Sequence, residues 1–481
     1  MKKRVNIVIV ALGILAEVGA FRSSAQVAQP PSTSPFAPPI LTLERLVQVV
    51  EANHPKLLGA DVERRIARSK RLEKQGAFDP SLFLSSDYLA YNSVGKLATT
   101  TTTDVGIEIP TPYGLKVLAG GRYHYGKVKS PDSSTGQSGE YFLMLKLPLL
   151  RGAGINEKLA AERQARIGVP IADQAFHLAR VEIALKAIQV YWKWTSSARK
   201  LQVQQDLLKI AQARAKFITE RVMEGELPKA ELPLAEGEVQ QRLIMLYAAE
   251  RTLQQAALEL GLYLFDENGE PLPTPTPIEA PVYVGNPTPL QPSAIEEGRQ
   301  KALQQRPELK SLSLQKDQTQ IDLRLAKNDR MPSLDLVFSP AQDTGLGGVG
   351  NTMKAGIMVS FPLLTRGADG RTLSAKQKLQ KLNLEEQESR NRLITGVNDA
   401  VNAVQVSCLR YEAAKQALVF AKQAEENERE RYRNGDSTLI NVNLLERATA
   451  QAAAMLIDIE AEYEQAMATF RAFTMQSFLE I

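Results

Sequence analysis

Leu178-Ala179-Arg180-Val181-Glu182-Ile183-Ala184-Leu185-Lys186-Ala187-Ile188-Gln189-Val190-Tyr191-Trp192-Lys193-Trp194 decides the fold. Its apolar side chains at Leu178, Val181, Leu185, Ile188 and Trp192 step by 3, 4, 3 and 4 residues, which traces a heptad seam. Phe176, Ala179, Ile183, Val190 and Trp194 trace a second seam two positions away. A helix in a two-stranded coiled coil needs one apolar stripe; two stripes demand neighbours on two sides, as in a curved wall of helices. An ordinary bundle core would also fit these seams, but the length around them argues otherwise. From Asn156 to Val222 the only helix breakers are Gly168 and Pro170. About 65 residues at about 1.5 Å each span close to 100 Å, far more than a globular domain needs.

The stretch from Arg371 to Arg433 is a second such helix, broken only by Gly396. One of its seams runs through Val397, Val401, Val404, Cys408, Tyr411 and Leu418, the other through Val406, Leu409, Ala413, Ala417 and Phe420. The recurrence is general. Asn53-His54-Pro55-Lys56-Leu57 returns as Gln305-Arg306-Pro307-Glu308-Leu309, and Pro80-Ser81-Leu82 as Pro332-Ser333-Leu334, both 252 residues later. Pro148-Leu149-Leu150-Arg151-Gly152 matches Pro362 to Gly367 at an offset of 214, and Arg221 to Gly225 matches Arg431 to Gly435 at 210. Four ordered matches mark a duplication with 38 extra residues in the first copy, between Ser81 and Pro148. The expected domains are a first repeat over 41–270, a Pro-rich linker over 271–292, a second repeat over 293–476 and a tail over 477–481.

Between the helices lie strand-like segments. Leu82 to Asn92 and Tyr141 to Leu147 in the first repeat answer to Ser333 to Ser339 and Lys354 to Phe361 in the second. The insertion adds Thr101 to Ile109 and Leu115 to Tyr125 around the turn-like Pro110-Thr111-Pro112-Tyr113-Gly114. Each segment has about the length of a tilted membrane strand, a weak signal taken singly. The chain enters and leaves each strand region through helices on one side, so strand counts are even: two in the second repeat, two or four in the first.

Composition excludes most chemistry. Apolar residues make up 44% and charged ones 23%, the balance of a folded chain. Lys2-Lys3-Arg4, the apolar run Val5 to Ala16 and Ser23-Ser24-Ala25 read as a secretory signal over residues 1–25, followed by a Pro-rich tether over 26–40. Without the signal, the net charge falls from +4 to +1, which leaves no electrostatic footprint for nucleic acid. No later apolar run approaches the length of a spanning helix, so any membrane insertion must use a closed β-barrel. Cys408 is the single cysteine, and His54, His124 and His177 are scattered, so neither a metal site nor a Ser/His/Asp arrangement is expected. The Gly345-Leu346-Gly347-Gly348-Val349-Gly350 run lacks the Lys-Ser/Thr of a phosphate loop and reads as a connection. Trp192 and Trp194 read as core packing and Cys408 as a small buried hydrophobe. No cofactor and no enzymatic activity are expected.

Over residues 41 to 476 the chain resembles the TolC family of outer-membrane efflux channels. The carriers are Pro80-Ser81-Leu82 and Pro332-Ser333-Leu334 at strand starts, Pro148-Leu149-Leu150-Arg151-Gly152 and Phe361-Pro362-Leu363-Leu364 at strand exits, and Arg431-Tyr432-Arg433-Asn434-Gly435 followed by Leu444 to Ala448 and Tyr463. The resemblance implies a mainly α fold with a transmembrane β part: duplicated strand–long-helix repeats forming an α-helical barrel plus a β-barrel, as a homotrimer. It implies a passive conduit of a tripartite efflux or type I secretion system, in the outer membrane of a Gram-negative-type cell. Its partners would be two further copies, outer-membrane lipid, a periplasmic adaptor protein and an inner-membrane RND or ABC pump. By the same resemblance Pro80, Pro148, Pro332 and Pro362 mark the ends of transmembrane strands. Gly225, Arg431, Gly435 and Ser437 belong to helix tips that dock the adaptor. Asn443 and Glu446 take the places of acidic residues that ring the tunnel entrance; alignment on Gly435 instead puts Asn441 at the first of these. An exported periplasmic coiled-coil scaffold is the alternative, which would explain the helices and the signal but not the paired strand segments.

Overall fold

A computed structural model describes residues 41–93, 96–126, 135–276, 280–281, 283, 285–347 and 350–478. The expected signal and tether, part of the linker and residues 479–481 of the tail lie outside these. The first repeat runs α1 (Leu43–Asn53), α2 (Pro55–Gln75), β1 (Ser81–Ser93), β2 (Lys96–Pro110), β3 (Lys116–Gly126), β4 (Glu140–Pro148), α3 (Glu157–Met223) and α4 (Glu231–Gly261). The second runs α5 (Pro292–Gln305), α6 (Pro307–Asn328), β5 (Ser333–Asp343), β6 (Asn351–Ser360), α7 (Arg366–Arg433) and α8 (Leu439–Thr474). Among the described residues the first repeat therefore holds four strands.

The same local chemistry starts both repeats. Pro55 and Pro307 each open a helix at its first position, because a proline ring prevents the preceding helix from continuing. His54 serves twice: its N–H bonds to the Val50 carbonyl at the end of α1, and its Nδ1 accepts the Lys56 N–H that starts α2. Pro170 sits inside α3 without ending it.

All six strands form one antiparallel sheet in the order β1-β2-β3-β4-β5-β6, so the repeats meet where β4 pairs with β5. Several strands run longer than their sequence pattern. β1 and β2 extend to Ser93 and Lys96 at their turn, and β5 continues through Pro340 to Asp343. Proline cannot donate to a ladder, and the β4–β5 register skips the pairs opposite Ser339 and Pro340 before resuming at Ala341.

The helices bury α3 on several sides. Trp194, Tyr191, Ala187 and Ile183 of α3 pack with Leu46 and Val50 of α1, Leu57 of α2, and Leu253, Ala256 and Leu260 of α4. Ile188 of α3 meets Ala468 of α8 on another face, so both α3 seams find neighbours within the chain. On α7 only one does. Val397, Val404, Cys408 and Tyr411 are buried, whereas Leu409 is 74% and Phe420 65% exposed. A single chain supplies no partner for that second stripe. Cys408 is a free buried thiol whose pKa is pushed up by burial and then by the nearby Glu412 carboxylate. The folded protein should leave Cys408 unmodified by maleimide until denatured; labelling of the native protein would show that this seam opens.

Candidate functional site

The sheet has two chemically distinct faces, and register assigns them. Side chains alternate faces along a strand, so Leu82 and Leu84 of β1 share a face with Ile107 and Val105 of β2. That face continues through Val117 and Ala119 to Leu145 and Leu143, then to Phe338 on β5 and Ala355 on β6. Among described side chains, every strand charge lies on the opposite face: Asp87, Asp104, Glu108, Lys116, Arg122, Glu140, Lys146, Asp335, Asp343 and Lys354. Many of these charges are paired across strands. Arg122 makes two bonds to Asp104, at 2.8 and 3.0 Å, and Lys146 reaches Asp335 at 3.0 Å.

The apolar face is uncovered. Leu84, Tyr88, Met353 and Ile357 are each about 70% exposed. Tyrosines mark one end of it, since Tyr88 and Tyr125 both oppose Thr101, with Tyr123 and Tyr141 nearby. Tyr113, in the β2–β3 turn, and Phe361, just past β6, mark the other end, at 76% and 70% exposure. An apolar band between two aromatic girdles is the outward surface of a membrane barrel. Pro80, Pro148, Pro332 and Pro362 all lie at or within two residues of strand ends on the helix side.

At the far end of the long helices, the two repeats build the same cap. Gly225 (φ +81°) and Gly435 (φ +85°) adopt the left-handed conformation just past α3 and α7. The N–H of Gly435 donates to the Tyr432 carbonyl and that of Asp436 to Arg431; Gly225 and Glu226 do the same to Val222 and Arg221. This is the Schellman arrangement, which satisfies carbonyls left without partners at a helix end. Around the second cap, Glu428 accepts from Arg431 at 3.0 Å and from the Ser437 hydroxyl, and Arg431 also donates to the Asp436 carbonyl. The cap residues Arg431, Gly435 and Ser437 thus form one local network. No atom lies within 4 Å of where a Gly435 Cβ would sit.

Asn443 and Glu446 of α8 both contact Arg214 of α3. Glu446 is 2% exposed, and its Oε1 accepts from Arg214 of α3 and, at 3.0 Å, from Arg429 of α7. Arg214 also donates to Asn443 Oδ1 at 2.6 Å. Within the chain the Glu446 carboxylate is therefore ion-paired. Two guanidiniums within hydrogen-bond reach hold it between the helices, because a buried carboxylate without a cation is strongly disfavoured. Asn441 instead sits in the first turn of α8, where its N–H meets the Thr438 side chain. Further pairs tie α3 to α8 in the same sense: Lys200 to Asp458 at 2.7 Å, and Arg199 to Glu460.

Arg214 and Arg429 escaped the sequence reading, although a signal existed. Arg214 falls three residues after buried Ala211 and four before buried Ile218, and Glu446 falls four after buried Val442 and four before Ala450. A charge on an apolar stripe asks for a buried partner. Which partner, 232 residues away, is not written in the stripe.

Residues 298–474 match the model of the outer membrane efflux protein family. No curated protein matches the chain. Among solved structures the chain is similar to the Campylobacter jejuni CmeC outer membrane channel at 14% identity and a TM-score of 0.65, covering 91% of this chain and 87% of that one. It is similar to the Vibrio cholerae outer membrane protein VceC at 14% identity and a TM-score of 0.64, covering 91% and 96%. The open state of the Neisseria gonorrhoeae MtrE outer membrane channel matches at 14% identity and 0.65, covering 91% and 89%. At such identities the likeness speaks for the fold.

Proposed function

We propose that this chain, whose residues 298–474 match the outer membrane efflux protein family, belongs to that family and is the outer-membrane channel of a tripartite export system. One observation carries the reading: a six-stranded sheet with an uncovered apolar face, a charged opposite face and two unpaired edges, mounted on helices of 67 and 68 residues. In hydrocarbon each unpaired edge must find a partner, and copies of the same chain supply it. The exposed second stripe of α7 requires a neighbour as well, and a homotrimer meets both needs. Helices of about 100 Å then carry the conduit across the periplasm to a periplasmic adaptor and an inner-membrane RND or ABC pump, with the Gly225 and Gly435 caps at the docking end. A soluble scaffold would leave the apolar face in water, where so large a patch favours aggregation.

Fractionation tests the membrane assignment: the protein should appear in detergent-extracted outer membrane, and recovery in the soluble periplasm would overturn it. Gly435→Val tests the tip. Since the space around Cβ is open, its cost is backbone strain, about 1–3 kcal/mol for a residue held left-handed. Export and adaptor crosslinking should fall while channel abundance stays normal; survival of both would remove Gly435 from the docking end.

A further inference from the structure

We propose that the β2–β3 hairpin, present in the first repeat alone, widens the membrane pore, so that three chains of six strands close into one eighteen-stranded barrel. The inference rests on the channel and trimer reading above and adds the size of the pore and hence of its cargo. The insertion is part of the wall rather than an appendage. β2 pairs with β1 from Ser93 to Ser81 and with β3 from Thr100 to Pro110, and β3 pairs in turn with β4. Its outward residues Val105, Ile107 and Val117 continue the apolar face, and its inward Asp104–Arg122 pair continues the charged one. A hairpin lying outside lipid would need neither.

Among the described residues the free edges are β1 and β6. β1 leaves the helix end and β6 returns to it, so β6 of one copy meets β1 of the next antiparallel, the sense of every other pair in the sheet. Strands about 4.8 Å apart and tilted about 40° give a backbone diameter of about 36 Å for eighteen strands and about 24 Å for twelve. Twelve is what three chains would make without the hairpin. Side chains narrow both, but the wider barrel still admits cargo of macromolecular width, such as a polymer or a compact peptide, where the narrower suits small molecules. The charged lining, largely paired as Asp104–Arg122 and Lys146–Asp335, fits a polar cargo of either sign.

Excising residues 97–134 reverses the insertion. The remaining β1 and β4 are antiparallel, and pairing Leu82 opposite Leu147 keeps both apolar faces on one side. Electron cryomicroscopy of the full-length protein in detergent should show a trimer with eighteen wall strands. A trimer with twelve, and β2–β3 outside the wall, would overturn this inference while leaving the channel reading intact; a soluble monomer would overturn both. A second measurement reads pore width from outside, independently of the tunnel. Lys354→Cys, on the charged face in a Cys408→Ser background, is labelled with graded polyethylene-glycol maleimides on intact cells. Excision should lower the limiting polymer diameter by at least about a third, the change in backbone diameter that follows from strand number. An unchanged limit in correctly assembled excised trimers would overturn the proposal.

Discussion

Ala355→Arg is expected to strip the protein from the outer membrane, whereas Gly356→Arg, one residue along, should leave it there. Both sit near the middle of β6, and both replace a small residue, so no packing is lost. They differ in face. Ala355 opposes Phe338 on the apolar side, and Gly356 opposes Val337 on the side that carries the strand charges. An arginine on the lipid face near the midplane costs about 2–4 kcal/mol in each chain, and every copy in the assembly bears it. On the inner face the guanidinium meets water, and nothing lies within 4 Å of the Gly356 Cβ position to obstruct it. Outer-membrane abundance and heat-modifiable mobility on gels read the result. Equal behaviour of the two variants would mean that the apolar face does not contact lipid.

The second large effect belongs to Glu446. Glu446→Ala should destabilise the tip by about 3 kcal/mol, the usual cost of taking one member from a buried ion pair. Arg214 and Arg429, with side chains 15% and 27% exposed, would keep their charges without the carboxylate that joins α3, α7 and α8. Glu446→Gln, which keeps an acceptor but no charge, should fall between wild type and alanine. The double variant Arg214→Met with Glu446→Leu should recover much of the loss, because replacing a buried pair by apolar side chains is often neutral. Limited proteolysis at the α3–α4 and α7–α8 tips, together with thermal denaturation, measures this. A Glu446→Ala protein as stable as wild type would place the carboxylate in solvent. The effect should also resist moderate salt, which screens exposed charges within about 10 Å at 0.1 M but buried ones much less. This separates the cluster from a ring of carboxylates in an aqueous entrance, whose influence would fade with salt.

Much of this architecture is legible in the sequence alone. The 3, 4, 3, 4 stepping from Leu178 to Trp192 and the scarcity of breakers fix long helices, because a heptad seam is a local property of the chain. The prolines at 55 and 307 end one helix and start the next by covalent geometry alone, and Gly225 and Gly435 mark helix ends because few other residues tolerate positive φ. The duplication, the 38-residue insertion and the even strand count follow from spacing.

Tertiary structure decided the rest. Whether the insertion widens the sheet or decorates it depends on hydrogen bonds between β1 and β2 and between β3 and β4, and weak period-2 patterns do not choose partners. The sequence pattern ends this strand at Ser339, yet β5 runs past Pro340, because the continuous ladder to β6 holds it across the two-residue gap on the β4 side. The face of Glu446 was undetermined for the same reason. Its stripe called for a cation, but Arg214 and Arg429 come from two other helices, and only helix packing brings them to one carboxylate. Local sequence sets what each segment can become through backbone sterics and apolar periodicity. Which segments meet is set by burial and pairing summed over the whole chain.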